Sequence, residues 1–292
     1  PDISKPPIEI IFSTKRKPPN HRPLTFNGVL VKREKEHKHL GLILDGGLTF
    51  KSHIEAAIKK ANKGIGAIKY MSKYAPRASL EQVYKSNVRP QVEYCDIIFH
   101  QSPPENPLSK DLSIKMDKLE SVQLQAAYAV TGAWKGSSRD KFYEVLCWEW
   151  LSHRRWYRRM SVFYKIVNKQ SPTYHSECIT FPDPPWISCF GRQVPISSSN
   201  LLTPIVGRTQ TFLSSFFPSC VFSWNRFLTA EQRTTTDLKT FKTKLLRSFK
   251  PTPKSYFGVN DRIGLRYLTQ LRVDLNPLRF YKFRYNFADT NN

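Results

Sequence analysis

The sequence predicts a mainly α protein with a small antiparallel β element at its N-terminus, an α+β arrangement dominated by helices. Three observations lead there. Over the first 45 residues, short apolar runs are interrupted by turn residues. From Phe50 onward, apolar side chains return every three or four positions, the helical period. And 292 residues, 40% hydrophobic and 13% aromatic, carry ample material for a core.

"IEIIFS" (Ile8 to Ser13) is a short β-type run, and the proline-rich basic loop "STKRKPPNHRP" after it cannot pair as a strand. "LTFNGVLV" places apolar residues either side of Asn27-Gly28, two residues that accept positive φ and so mark a two-residue hairpin turn. The charged "KREKEHK" separates this hairpin from a third strand-like run, "HLGLILD", and the three runs are expected to form one antiparallel sheet over residues 8 to 45. Ile54, Ala57, Ile58, Ala61, Ile65, Ile68 and Met71 then define an amphipathic helix. Gly64 and Gly66 each weaken it by about 1 kcal/mol relative to alanine, which predicts close packing of a neighbour at both.

Ser79 and Gln82 match the reciprocal S-x-x-Q cap, predicting a second helix from Ser79 to about Val88, where Pro90 bends or ends it. A polar loop with three prolines, "QSPPENPLSK", precedes a helix over Ile114 to Val130. Two more helices are expected at 139–147 and 151–168; in the second, Trp156, Met160, Phe163 and Val167 form a core stripe flanked by arginines. Residues 170–211, rich in Pro, Ser and Thr, read as irregular surface chain or a linker. "SFFPSCVFSWNRFL" is an aromatic core segment, Asp237 can cap "LKTFKTKLLRSF", and Leu265, Leu268, Leu271 and Leu275 recur at helical spacing in the last element.

The charge is the strongest functional signal. Forty-six Lys+Arg against 23 Asp+Glu leave +23, and a surplus that large favours a polyanion, because neutralised phosphates release condensed counterions. No apolar run is long enough for a membrane span and no signal-peptide core opens the chain. The five cysteines show no C-x-x-C spacing and read as buried thiols in a reducing compartment.

Several chemistries lack their residues. Metal-dependent phosphoryl transfer needs converging carboxylates, yet the chain has no Asp-Asp pair, and Asp45 beside Gly46-Gly47 reads as a turn residue. "GGLTFKS" lacks the phosphate-loop spacing, and there is no G-x-S-x-G elbow. His37 and His39 alternate on a strand run, as a solvated or nucleic-acid-facing pair would. What is present is basic residues interleaved with aromatics. Leu151 to Gln170 carries six Lys+Arg and no acid, with Trp156, Tyr157, Phe163 and Tyr164 among them; Leu238 to Lys254 and "LRFYKFRYNF" repeat the pattern. The aromatics taken alone fit a core, whereas three basic stretches without an acidic counterweight point to phosphate contact.

The order of motifs resembles the C-terminal half of a non-LTR (LINE-type, jockey-like) retrotransposon reverse transcriptase. It is carried by "PDISKPPIEIIFS", "LTFNGVLV", "HKHLGLILDGGLTFKSHI", "YKSNVRPQVEYCDIIFH", "KLESVQLQAAYAVTGAWKGSSRDKFYEVL", "LSHRRWYRRMSVFYKI", "SFFPSCVFSWNRF", "LLRSFKP" and "LRFYKFRYNFADT", in that order and across essentially the whole chain. The resemblance implies a palm edge with a primer-grip strand at 1–49, in which His39, Leu40 and Gly41 support the primer end. It implies a helical thumb at 50–134, a basic helical connector at 135–170, the irregular linker at 171–211, and a basic helical C-terminal region at 212–292.

In that family the catalytic aspartates and their Mg²⁺ precede the matched segment. The implied role is therefore template–primer and RNA/DNA binding within an RNA-directed DNA polymerase, without catalysis or a cofactor in this chain alone. The residues expected to meet nucleic acid are Lys51, Lys59, Lys60, Lys63, Arg154, Arg155, Arg158, Arg159, Lys242, Arg247 and Arg272. The partners are an RNA template and a DNA primer or target, and the setting is intracellular, in the nucleus, with cytoplasmic ribonucleoprotein assembly. Cys95 and Cys147 stand where relatives commonly have glycine, which implies a copy that has drifted; the family's Cys/His zinc segment would follow "FADTNN". A stand-alone basic nucleic-acid-binding module and a decayed remnant remain the alternatives.

Overall fold

A computed structural model describes residues 7–13, 15, 21–100, 114–133, 139–182, 186–189, 192–195 and 200–247. Short strands open the chain and helices make up most of the remainder. β1 (Ile8–Glu9), β2 (Thr25–Phe26), β3 (Val29–Leu30), β4 (Lys32–Arg33), β5 (Glu36–His39) and β6 (Leu42–Asp45) do not form the single antiparallel sheet expected. They form three separate pairs: β1 with β4 in parallel, β2 with β3, and β5 with β6. Asn27-Gly28 turns the β2–β3 hairpin at φ 51° and 75°, as their freedom for positive φ predicts. The run "HLGLILD" is not one strand, because Leu40 and Gly41, at φ 45° and 87°, make a second two-residue turn inside it.

α1 (Lys51–Met71) buries Ile54, Ala57, Ala61, Ile65 and Ile68. α2 (Arg77–Val83) begins at Pro76, so Ser79 lies inside the helix and the expected cap is not formed. Pro90 does not end the helical passage. A π-helical turn over Tyr84–Val88, closed by Arg89 N–H on Tyr84 O, shifts the hydrogen-bond register just before the proline. The N–H that Pro90 lacks is thereby not missed, and α3 (Arg89–Glu93) continues the helix to α4 (Asp96–Phe99). α5 (Ile114–Thr131), α6 (Arg139–Leu146) and α7 (Leu151–Val167) follow close to the predicted bounds.

α8 (Thr173–Ser176), the β7 (Trp186–Cys189) and β8 (Arg192–Pro195) hairpin, and α9 (Gln210–Leu213) occupy the stretch expected to be irregular. Nor is that stretch all surface chain: Ile179 and Leu202 are buried. α10 (Phe216–Phe227), α11 (Ala230–Arg233) and α12 (Leu238–Arg247) complete the described fold, and Asp237 caps α12 by accepting from Thr240 N–H at 2.7 Å. The leucine-spaced element after residue 250 lies outside the described residues.

Two apolar clusters organise these elements. The first runs from Leu42 to Leu151 and is built where α1 packs on α5, on α3 and on the π turn. The second holds Trp156, Met160, Phe163, Tyr164, Trp224, Phe241 and Leu245, from α7, α10 and α12. α7 belongs to both, with Leu151 in the first and the aromatic stripe in the second. The aromatics of "LSHRRWYRRMSVFYKI" are thus core, since Trp156, Phe163 and Tyr164 are all buried.

The two α1 glycines separate here. A Cβ on Gly64 would lie 2.8 Å from Val88 Cγ2, whereas one on Gly66 would meet nothing within 4 Å. Close packing therefore explains Gly64 and not Gly66. Val88 is fully buried and β-branched, so it has no room to yield. We expect Gly66→Ala to stabilise the chain by about 0.5–1 kcal/mol through helix propensity. Gly64→Ala should cost about 1 kcal/mol, because overpacking at about 1–3 kcal/mol exceeds the same propensity gain. Urea midpoints of the two variants, moving in opposite directions, test this.

Candidate nucleic-acid interface

α1 places its buried stripe against the first core and its other face in solvent. That outer face carries Lys51, Lys59, Lys60, Lys63 and Lys69, all exposed, with Glu55 the one acid of the helix. None of the five lysines forms an ion pair with a described carboxylate, so their charge is available to an outside anion. The helix start is held from the strand side. Asp45 accepts Phe50 N–H at 2.6 Å through Oδ1 and Thr49 N–H at 2.9 Å through Oδ2. Burial alone would raise the Asp45 carboxyl, and these backbone donors reverse that and hold it below its ordinary value. Asp45 thus serves the turn, as its neighbours Gly46-Gly47 suggest.

The β5–β6 hairpin sits at the N-terminal end of this face, joined to α1 by Ser52 Oγ–H on Glu36 Oε1 at 2.6 Å. His39, Leu40 and Gly41 are not three residues of a continuous strand. His39 ends β5, and Leu40-Gly41 is the tip of the hairpin, with Leu40 81% exposed. The tip is tied down by Tyr94, whose hydroxyl donates to Leu40 O at 2.5 Å, and a Cβ on Gly41 would lie 3.0 Å from the Tyr94 hydroxyl oxygen. The hairpin thus carries an exposed leucine at a tip held by Tyr94.

The four central arginines, expected to meet phosphate, engage groups of the chain itself: Arg155 and Arg159 are buried, and Arg154 and Arg158 are half-buried. Arg154 pairs with Glu93 (Nε–Oε1 2.5 Å) and Glu149 (Nη1–Oε2 3.3 Å). Arg158 pairs with Glu93 (Nη1–Oε2 2.8 Å) and with Asp96. Arg159, 3% exposed, donates to the carbonyls of His100, Ser215 and Phe216 and to Ser219 Oγ, and lies over the Phe216 ring. Arg155 is fully buried, makes no hydrogen bond, and is compensated by the charges of Glu120, Asp96 and Glu93. Apart from Glu149, five residues before Arg154, the carboxylates reach these arginines from other segments, α3, α4 and α5.

The network has clear electrostatic signs. Burial pushes the Glu93 carboxyl up, but the bonds from Arg154 and the charge of Arg158 outweigh it and hold the group below its ordinary value. For Asp96 and Glu120 burial wins and both carboxyls are raised. His100 is buried and pushed well down, first by burial and then by the surrounding arginines, so it is neutral in the fold.

Of the remaining expected contacts, Lys242 is half-exposed on α12, which packs against α7. The side chain of Arg247 and the whole of Arg272 lie outside the described residues. Among the described residues no three His, Cys, Asp or Glu side chains converge as metal ligands, and no helix is long and apolar enough to cross a membrane.

The thiols divide. Cys220 is buried, Cys95 and Cys147 are half-buried and Cys178 is exposed, which corrects the expectation that all are buried. Cys95 and Cys147 both take left-handed backbone, φ 59° and 53°, the conformation in which glycine is unstrained. Cys95→Gly and Cys147→Gly are each expected to stabilise the chain by about 0.5–1 kcal/mol, since relief of about 1–2 kcal/mol of strain exceeds glycine's extra unfolded-state entropy. A urea midpoint that falls in either variant contradicts this.

Tyr70 and Tyr74, both exposed, continue the Lys59–Lys63 row at i, i+4 spacing and are not among the residues expected from the sequence to meet nucleic acid. Compared with protein-family models, with curated proteins and with solved structures, the chain has no match.

Proposed function

We propose that this chain is the nucleic-acid-holding part of a non-LTR reverse transcriptase, in which α1 lies along the phosphates of a template–primer and the β5–β6 tip stands at the primer end. The carrying observation is the exposed lysine face of α1, which has no carboxylate partner among the described residues. The left-handed backbone at Cys95 and Cys147, where the resemblance expects glycine, supports the same assignment. The binding surface is Lys51, Lys59, Lys60 and Lys63, and it excludes Arg154, Arg155, Arg158 and Arg159, whose charge is spent internally. No Asp-Asp pair occurs in the sequence, and on this reading the chain binds without polymerising.

Fluorescence anisotropy with a DNA primer annealed to an RNA template, repeated across salt concentrations, tests the assignment. Affinity should fall steeply with salt. Replacing the four lysines by glutamine should flatten the log–log slope by roughly 3 to 4, close to one per lost phosphate contact. An unchanged slope overturns the role of α1. Templated extension in Mg²⁺ and dNTPs overturns the claim that the chain does not polymerise.

A further inference from the structure

We infer that the α1 face ends in a single-strand subsite, in which Tyr70 and Tyr74 form a base-stacking platform beyond the lysine row that follows the template–primer; this rests on nucleic-acid binding by α1 and names the unpaired strand that its far end takes. Tyr70 and Tyr74 are 69% and 78% exposed, the two most exposed aromatic side chains among the described residues. Their rings stand edge to face, with centroids 6.1 Å apart. Neither phenol is held by a hydrogen bond to a described residue, so each ring keeps an open face. Most large aromatics of the helical region are core: Tyr84, Tyr143, Tyr164, Phe163 and Trp224 are all at most 2% exposed.

The two rings are placed to act with the lysines. Lys59, Lys63, Gly66 and Tyr70 follow one another at i, i+4, i+7 and i+11, a single stripe along the helix, and Tyr74 extends it just past the helix end. Gly66 lies between the charges and the rings. It costs the helix about 1 kcal/mol relative to alanine, and no described residue requires it, since an added Cβ would meet nothing within 4 Å. A bare patch of helix backbone between a phosphate-binding row and an aromatic pair lets a strand approach closely.

Stacking decides between single strand and duplex. Within a duplex both faces of each base are covered by their neighbours, so exposed tyrosines gain little from it. An unpaired base offers a free face, and the lysines track the backbone that carries it. The rings read no base edge and no sugar, so RNA and DNA single strands are both accommodated.

The test is anisotropy of the full chain with labelled single-stranded RNA, single-stranded DNA and a blunt duplex of equal length, at one fixed low salt concentration. Tyr70→Ala/Tyr74→Ala should lose about tenfold or more in affinity for both single strands. Its binding to duplex should change by less than about twofold, because no phosphate contact is removed. Tyr70→Phe/Tyr74→Phe should restore binding, since the rings and not the hydroxyls carry it. Equal losses on duplex and single strands, or no loss on either, overturn the platform. A loss confined to RNA or to DNA overturns sugar-blind stacking. If the native chain binds none of the three probes, nucleic-acid binding by α1 itself fails, an outcome distinct from the failure of the tyrosines.

Discussion

Glu93→Ala is expected to destabilise the fold by about 3–5 kcal/mol, the cost of removing the largely buried carboxylate that several guanidinium groups share. Glu93 is 10% exposed, and its two oxygens receive Arg154 at 2.5 Å and Arg158 at 2.8 Å, with Arg89 Nε at 3.8 Å. Alanine removes the carboxylate and strands these guanidinium groups beside Arg155, which has no hydrogen-bonding partner of its own. Glu93→Gln keeps the volume and one acceptor and should lose less.

The pH dependence carries the same assignment. The folded Glu93 carboxyl is depressed, so its contribution is fully present above the unfolded carboxylate value of about 4.3 and is lost as pH falls through the lower folded value. Asp96 and Glu120, raised by burial, have the opposite sign and lose stability as pH rises between their unfolded and folded values. Urea denaturation of native chain and variant between pH 3 and pH 7 separates them, because only the acid-side loss attributable to Glu93 disappears in the variant. A loss near 0–1 kcal/mol for Glu93→Ala would instead mark the pair as a solvent-screened surface bridge.

Trp224→Ala should cost about 3–5 kcal/mol, the range for deleting a large buried aromatic and leaving a cavity. Its side chain is fully buried, its indole N–H donates to Asn200 O at 2.9 Å, and its ring packs against Phe163 at 5.7 Å and Phe241 at 6.0 Å between centroids. Trp224→Phe preserves most of the apolar contact but leaves the Asn200 carbonyl without its donor. We expect that variant to lose about 1–3 kcal/mol.

Because α7 runs through both clusters, the first core should feel the damage to the second. Arg159 strengthens this coupling by bonding across from His100 to Ser215 and Ser219. Thermal unfolding of Trp224→Ala, followed by far-UV and near-UV circular dichroism, should show one shared transition moved to lower temperature. Two separated transitions would show that α7 does not couple the cores.

Much of the fold was legible because its causes are local. The three- and four-residue recurrence along Ile54, Ala61, Ile65 and Ile68 marks a helix wherever the partner lies, and Asn27-Gly28 and Asp237 act within a few residues of themselves. Even Cys95 and Cys147 carried a local signal, as positions where glycine was expected and left-handed backbone is found. The lysine row of α1 was legible for the same reason, since a face opposite the buried stripe of an amphipathic helix must meet solvent.

What depends on distant segments was decided by the tertiary structure alone. Arg154 and Arg158 read as a free basic face because Leu151 to Gln170 holds no acid, yet Glu93 and Asp96 reach them from 61 and 62 residues away. Gly64 and Gly66 are equivalent by propensity, and only the placement of Val88 tells them apart. The sequence by itself determined a helical, strongly basic chain with a lysine-faced helix after a glycine turn. The tertiary structure decided which cations remain free for a partner: a charge's availability depends on what folds against it, and pattern along the chain records only its neighbours in sequence.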